Sequence, residues 1–116
     1  MKTKKYLQQI INNKFHTAVS VLCEEYDIDA NIFFSRMTRE RDAVEARRFL
    51  IFYCYNELRI SKSHILRYIL ILTNHATILH HIKVHKTFMK QYDEYNARYN
   101  YFVQRISIET EIFNYE

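Results

Sequence analysis

Residues 73–81, Thr-Asn-His-Ala-Thr-Ile-Leu-His-His, have the types and spacing that could touch DNA bases. Asn74 can accept hydrogen bonds from the first backbone N–H groups of a helix, and apolar residues at helical spacing follow it. A helix whose first turn carries short polar or methyl-bearing side chains can place them against base edges in the major groove. The pattern therefore predicts the start of a recognition helix, with four base-reading candidates: Asn74, His75, Ala76 and Thr77.

A basic segment precedes this helix. Residues 38–48 contain four arginines and lead into a second helical pattern, where a helix-turn-helix protein would hold phosphates. Residues 35–90 hold eleven Lys/Arg against four Asp/Glu, whereas residues 91–116 hold two against five. A polyanion would be drawn to the middle of the chain. The phosphate-binding candidates are Arg39, Arg41, Arg47, Arg48, Lys62 and Lys83.

Composition indicates one all-α domain spanning residues 1–116. A chain of 116 residues with 48% hydrophobic content can build one core, and no second domain is expected. Glycine and proline are both absent, which removes the residues that most easily form hairpins and sharp reversals. Phosphate-cradling loops of the Walker and Rossmann types need glycine, so no nucleotide partner and no nucleotide hydrolysis are expected.

Apolar periodicity divides the chain into helical segments. Asp29 is a predicted N-cap for a short helix that runs through residue 34. Ser61 or Ser63 is the predicted N-cap of a later helix of about ten residues. A turn is expected at 71–73, and one long helix from His75 through Lys90 and on toward Ile106. The remaining predicted helices cover residues 3–12, 15–26 and 42–58, the last with buried Ala43, Ala46, Phe49, Leu50, Tyr53 and Cys54.

The last third of that long helix carries aromatic side chains on one side. A helix of this length must fold back on the domain, pair with the N-terminal helix, or meet a second copy of the chain, and the sequence leaves these three alternatives open. The predicted protein-interface residues are Tyr92, Tyr95, Tyr99 and Phe102.

Other chemistries find little support in the residues. Cys23 and Cys54 fall within apolar helical patterns typical of buried, reduced thiols, and no enzyme activity is expected. His81 and His85 share a helix face, but two ligands do not make a metal site, so no metal or other cofactor is expected. The chain has no apolar run of about 18 residues and a polar start, which predicts a cytoplasmic protein without a membrane partner.

Three segments are similar to family motifs. Residues 38–48 fit the pattern T-R-K-R-x-x-V-x-A-R-Q without a gap, and residues 73–81 fit R-D-H-T-T-V-L-H-A, one position late in their spacing from the first motif. Residues 21–34 are similar to V-x-E-Y-F-x-I-x-x-x-D-L-L. On these motifs, residues 15–90 resemble the C-terminal origin-binding domain of the bacterial replication initiator DnaA. The resemblance implies a helix-turn-helix core of DnaA C-terminal or Trp-repressor type, with an N-terminal helical extension at 1–14 and a Tyr-rich, acidic C-terminal helix at 91–116.

The resemblance also implies roles for single residues. Arg39 and Arg47 fall at positions that bind the DNA backbone in the family, and His75 and Ala76 fall at base-reading positions. The chain departs from the family pattern around these positions. Thr73 stands in place of an arginine, Asn74 of an aspartate, Ala76 of a threonine and residues 71–72 of a glycine pair. We therefore expect the chain to keep the family's scaffold but not to recognise the DNA sequence that the initiator binds.

The expected function is that of a small double-stranded DNA-binding protein. The chain lacks the ATPase part of an initiator, so the resemblance implies a freestanding DNA-binding domain from a phage or mobile element, acting as a regulator or replication accessory in a bacterial or phage-infected cytoplasm. The alternative is a protein-interaction module on the same scaffold that has lost specific DNA readout. It would bind a host replication protein or a second copy through the C-terminal helix, and Ile71-Leu72 in place of glycines favours it.

Overall fold

The computed structural model describes residues 2–33, 41–68 and 75–114, and within them the chain forms α-helices and no strand. The prediction of one all-α domain is confirmed. The helices are α1 (Lys2–Tyr26), α2 (Ala30–Phe33), α3 (Arg41–Asn56), α4 (Lys62–Tyr68), α5 (His75–Gln91) and α6 (Asp93–Asn114). The predicted turn at 71–73 lies outside the described residues, as do the Asn74 cap and Arg39. None of the described helices has the length and apolar character needed to cross a membrane.

Helix α1 is continuous, so the predicted break between residues 12 and 15 is wrong. Its apolar stripe runs without interruption from half-buried Ile11 to buried Phe15, Ala18 and Leu22. The polar residues between Ile11 and Phe15 include no proline, so nothing there ends the helix. The long α1 is therefore held by one extended apolar face.

Two helix ends use the left-handed backbone conformation without glycine. Asp27 after α1 and Arg59 after α3 have φ of 52° and 54°. These residues let the N–H of Ile28 donate to the Cys23 carbonyl at 3.0 Å and the N–H of Ile60 to the Cys54 carbonyl at 2.9 Å. Glycine usually occupies such positions, so the chain makes its sharp helix ends at a conformational cost.

Predicted caps on the short helices are present. The N–H of Asn31 donates to Asp29 Oδ1 at 2.8 Å, which confirms Asp29 as the cap of α2. At the start of α4 the N–H of His64 donates to Ser61 Oγ at 3.3 Å, so Ser61 rather than Ser63 is the cap. Helix α4 contacts both α3 and α5, and the segment 69–74 between α4 and α5 lies outside the described residues.

Helix α3 forms the centre of the domain, because α1, α2, α4 and α5 all pack against it. Phe49 is 1% exposed and its ring contacts those of Tyr26, His85, Tyr95, Tyr99 and Phe102. The predicted buried residues of this helix are all confirmed: Ala43, Ala46, Phe49, Leu50, Tyr53 and Cys54.

The predicted long C-terminal helix is instead two helices, α5 and α6, separated at Tyr92. Asn96 donates from Nδ2 to the Met89 carbonyl at 3.0 Å and so satisfies a carbonyl at the end of α5. Helix α6 then packs against both α5 and α1. Of the three alternatives for the aromatic tail, two are observed together: α6 folds back on the domain, and it pairs with the N-terminal helix α1.

Ion pairs tie α6 to its neighbours. Arg98 binds Glu45 of α3 through both carboxylate oxygens, at 2.8 and 3.1 Å. Arg105 contacts Glu24 at 2.9 Å, Glu109 at 2.6 Å and also Glu25, which links α6 to the C-terminal end of α1. Both arginines of α6 are therefore engaged with carboxylates of the same domain.

Candidate nucleic-acid interface

Helix α5 has one buried and one exposed face. Ile78, Ile82 and His85 are buried against the core. The exposed residues recur at the helical period and cover about 140° of the helix circumference. This exposed surface, called the outer face of α5 below, consists of His75, Ala76, Leu79, His80, Lys83, Lys86, Thr87 and Lys90; the last residue of the helix, Gln91, is also exposed but lies at its edge.

The outer face of α5 is cationic. Helix α5 contains no Asp or Glu at all, and its three lysines lie on this face. Among the residues that the structure describes, no carboxylate lies within 4.0 Å of Lys83, Lys86 or Lys90. Their charges are available to an anionic partner, in contrast to those of the α6 arginines.

The start of α5 is open to solvent. His75 and Ala76 are exposed, and Thr77 is half-buried. His75 Nε2 lies 3.4 Å from Ser63 Oγ on α4, so the two helices meet near the tip of α5. Of the base-reading candidates within the described residues, His75 and Ala76 are thus accessible, and Thr77 is only partly so.

Arg47 is buried in the domain, which counts against its prediction as a phosphate contact. The residue is 8% exposed, because it sits on α3 among the core positions Ala46, Leu50 and Ile51. Burial lowers the pKa of its guanidinium. Helix α3 has apolar residues on almost every side, so its periodicity does not mark one outer face. The sequence therefore could not predict whether Arg47 is exposed or buried.

Arg48 and Arg41 lie toward the other end of α5 from its exposed tip. The guanidinium of Arg48 is 5.1 Å from the centre of the Phe88 ring, and Arg41 and Arg48 line a cavity with Phe88 and Tyr92. Phe88 is 13 residues, or about 20 Å, along α5 from His75. The sequence pattern predicted that these arginines bind phosphates beside the start of α5. In the structure they lie near its other end.

The remaining predicted cations are better placed. Lys62 is half-buried at the start of α4, with its Nζ 5.7 Å from the Tyr55 ring centre, and Lys83 is exposed on the outer face of α5. Sequence reasoning missed Lys86, Lys90 and His80. The signal was present, because Lys83, Lys86 and Lys90 follow i, i+3, i+7 spacing in a helix without acidic residues.

Three of the four predicted interface residues belong to the core, and their prediction as a protein interface is wrong. Tyr95, Tyr99 and Phe102 are 2%, 4% and 2% exposed, because α6 folds them against Phe49. Tyr92 alone is exposed, at 53%. The aromatic stripe is the inner surface of α6.

The histidines and cysteines on inner surfaces are held by packing. Burial lowers the pKa of His81 and of His85 to about 4, with the nearby Arg48 charge acting in the same direction. Burial also raises the pKa of the Cys54 thiol to about 12, and Cys23 is half-buried; both cysteines are free thiols. In the described part of the chain, no three potential metal-ligating side chains lie together.

Comparison with known proteins finds no protein-family model and no curated protein that matches this chain. The likeness of residues 15–90 to the origin-binding domain remains a prediction from the motifs.

Proposed function

We propose that this protein binds double-stranded DNA through the outer face of α5. The observation that carries the proposal is the set of three exposed lysines, Lys83, Lys86 and Lys90, on a helix that contains no acidic residue. Phosphate neutralisation by Lys and Arg supplies most of the affinity of such proteins for DNA. A surface of this kind suits a polyanion better than a neutral or mixed-charge protein partner.

The shape of the surface supports a duplex as the partner. A helix with its side chains is about 10–12 Å across, and the major groove of B-DNA is about 12 Å wide. The outer face extends from His75 to Lys90, about 22 Å along the helix axis, and it is exposed along that length. The helix can therefore lie in the groove while its lysines reach the flanking phosphates.

Sequence preference is assigned to the accessible tip. His75 can donate or accept a hydrogen bond, and the Ala76 methyl group can contact a thymine methyl. Both residues are exposed in the first turn of α5. The motif resemblance to DnaA origin-binding domains adds support for this end of the helix as the readout element, and for a role as a phage or mobile-element regulator or replication accessory.

A fluorescence polarisation titration against random duplex tests the proposal. The chain should bind saturably at low salt, and each lysine-to-glutamine change on the outer face should reduce the slope of log K against log salt by about 0.9. The triple variant K83Q/K86Q/K90Q should lose most nonspecific affinity. Lys14→Gln is the matched control, because Lys14 is on α1, which packs against α2, α3 and α6. An unchanged slope in the triple variant, or no binding at micromolar protein, would exclude this surface.

Selection of bound sequences from a random duplex pool tests the readout separately. His75→Ala should weaken binding to the selected sites more than to random duplex, because a base contact is lost, whereas Lys86→Gln should weaken both about equally. Equal loss at all sequences for both variants would leave nonspecific binding only.

A further inference from the structure

A cavity of about 480 Å³ lies away from the outer face of α5, where the start of α3 meets the end of α5 and the start of α6. Its size is within the range of pockets that hold small molecules. Its wall combines guanidinium groups with aromatic rings.

One of its three arginines is neutralised. Arg98 is bound by both oxygens of Glu45, and Glu45 also accepts a hydrogen bond from the Tyr26 hydroxyl. Although burial acts in the opposite direction, the hydrogen bonds from Arg98 and Tyr26 hold the pKa of Glu45 below its usual value. Arg98 and Glu45 therefore form an ionised pair with no net charge.

The other two arginines carry unneutralised charge. No carboxylate of the described residues lies within 4.0 Å of Arg41 or Arg48. Arg48 Nε is buried and, among the described atoms, has no hydrogen-bond partner. Glu94 is exposed and is the remaining acidic residue in the cavity wall, so the cavity keeps a net charge of +1. The buried Nε in particular is a donor that an anion could satisfy.

Aromatic rings also line the cavity. The Phe88 ring makes edge-to-face contacts with Tyr92 at 5.2 Å and with Tyr95 at 5.4 Å, and the Arg48 guanidinium lies 5.1 Å from its centre. Tyr92 is 53% exposed at the junction of α5 and α6. The exposed Tyr92 ring, in contact with Phe88, offers a planar group a stacking surface.

We propose that this cavity binds a small aromatic anion, a planar ring bearing one carboxylate or phosphate, with the anion on Arg41 and Arg48 and the ring against Phe88 and Tyr92. Arg presents paired N–H donors that match both kinds of anion. The site is separate from the outer face of α5 and does not depend on DNA binding. Its occupant would bridge α3, α5 and α6 at the point where the chain reverses.

Four probes separate the contributions of charge and ring. Phenyl phosphate and benzoate carry both features, inorganic phosphate lacks the ring, and benzyl alcohol lacks the charge. In ¹⁵N-labelled protein, phenyl phosphate or benzoate should shift the amide signals of Arg48, Phe88 and Tyr92, with a Kd at least tenfold below those of inorganic phosphate and benzyl alcohol. The tighter of the two anions identifies the source as phosphate or carboxylate. No shift of these signals at 10 mM of either anion, or equal binding of benzyl alcohol, would overturn the proposal.

Variants locate the site. Arg48→Gln should weaken binding of the preferred anion at least tenfold and leave benzyl alcohol binding unchanged. Arg41→Gln serves as a second test, because Arg41 is exposed and its loss leaves the core intact. Arg59→Gln is the matched control, since this exposed arginine lies after α3, outside the cavity. An equal loss in the control variant would show attraction by overall charge and reject the site.

Discussion

The Nδ1 atom of His85 lies 2.8 Å from the hydroxyl oxygen of Tyr95, inside the interface between α5 and α6. The two residues are 0% and 2% exposed, and the imidazole also stacks on Phe52 at 3.9 Å between ring centres. A hydrogen bond between two fully buried side chains has strict geometric requirements. This pair therefore fixes how α6 is placed against α5 after the reversal at Tyr92.

Tyr95→Phe should destabilise the fold by about 1–3 kcal/mol, because it leaves His85 Nδ1 buried without a partner while removing little apolar contact. The free energy of unfolding in urea measures the effect. Tyr92→Phe removes the same hydroxyl from an exposed ring and should change stability by less than about 0.5 kcal/mol. Equal effects of the two substitutions would show that the buried hydrogen bond contributes nothing to stability.

Stability should fall as the pH is lowered from about 6.5 to about 4. Burial lowers the pKa of His85 in the folded chain to about 4 from the usual 6.5, so the unfolded chain binds a proton in this interval and the folded chain does not. The stability is complete above pH 6.5 and is lost toward pH 4. For His85 alone the loss is on the order of 3 kcal/mol. Half-buried His81, with its pKa also lowered to about 4, acts in the same direction.

Urea unfolding at a series of pH values checks this prediction. His85→Phe should reduce the pH dependence between 4 and 6.5 by about half and leave the share due to His81, even if the variant is less stable at every pH. His16→Gln is the control, because His16 is exposed on α1, a different helix from His81 and His85, and this variant should keep the full dependence. A slope that His85→Phe leaves unchanged would mean that other groups cause the acid sensitivity.

Local signals in the sequence predicted a good part of this fold. The Asp29 cap and the buried positions of α3 depend on residues close together in the chain, and both were predictable. The reversal at Tyr92 was not, because apolar residues keep the helical period on both sides of it. Tertiary interactions separate α5 from α6. Both helices pack onto one core, and the Asn96 side chain donates a hydrogen bond to the Met89 carbonyl across the break. For the same reason the aromatic stripe of α6 gave no sign of whether it faced its own domain or another chain.

The candidate interface also has a part that the sequence could predict and a part that it could not. Helical spacing is enough to predict that Lys83, Lys86 and Lys90 share one exposed face of α5. Of these three, only Lys83 was predicted as a phosphate contact. The arginines of α3 could not be placed from sequence, because that helix is surrounded and each side of it meets a different neighbour.

Arg47 and Lys86 should respond to substitution in opposite ways. Arg47→Ala should destabilise the fold by about 2 kcal/mol or more, because a buried side chain with its own contacts is removed. Lys86→Gln should change stability by less than about 0.5 kcal/mol and reduce the salt dependence of DNA binding. Chemical denaturation and polarisation titrations at a temperature where both variants are folded measure the two effects. A phosphate contact by Arg47 would instead give a reduced salt slope with stability intact.

Arg105 should stabilise the packing of α6 on α1 in a salt-dependent way. Its guanidinium contacts three carboxylates, so Arg105→Gln leaves Glu24, Glu25 and Glu109 without a shared counter-charge. The expected loss is about 1 kcal/mol at low ionic strength and less in 1 M NaCl, where screening weakens both the attraction and the remaining repulsion. Thermal unfolding at the two salt concentrations measures it. Glu24→Gln, which removes one partner that is 71% exposed, should cost less; a loss independent of salt would point to packing instead of charge.

Arg59→Gly should stabilise the protein, although it removes a charged side chain and introduces the first glycine of the chain. Arg59 has φ of 54°, where a residue with a Cβ atom is strained by about 1–2 kcal/mol and glycine is not. Glycine also gives the unfolded chain more freedom, which offsets about 0.5–1 kcal/mol of that gain. The net effect should be up to about 1 kcal/mol, or a rise of several degrees in the thermal midpoint for a domain of this size. Arg59→Ala keeps the Cβ atom and removes the same charge, so it should give no rise. If alanine stabilises as much as glycine, the gain comes from removing charge in a basic chain and the backbone at this helix end is not strained.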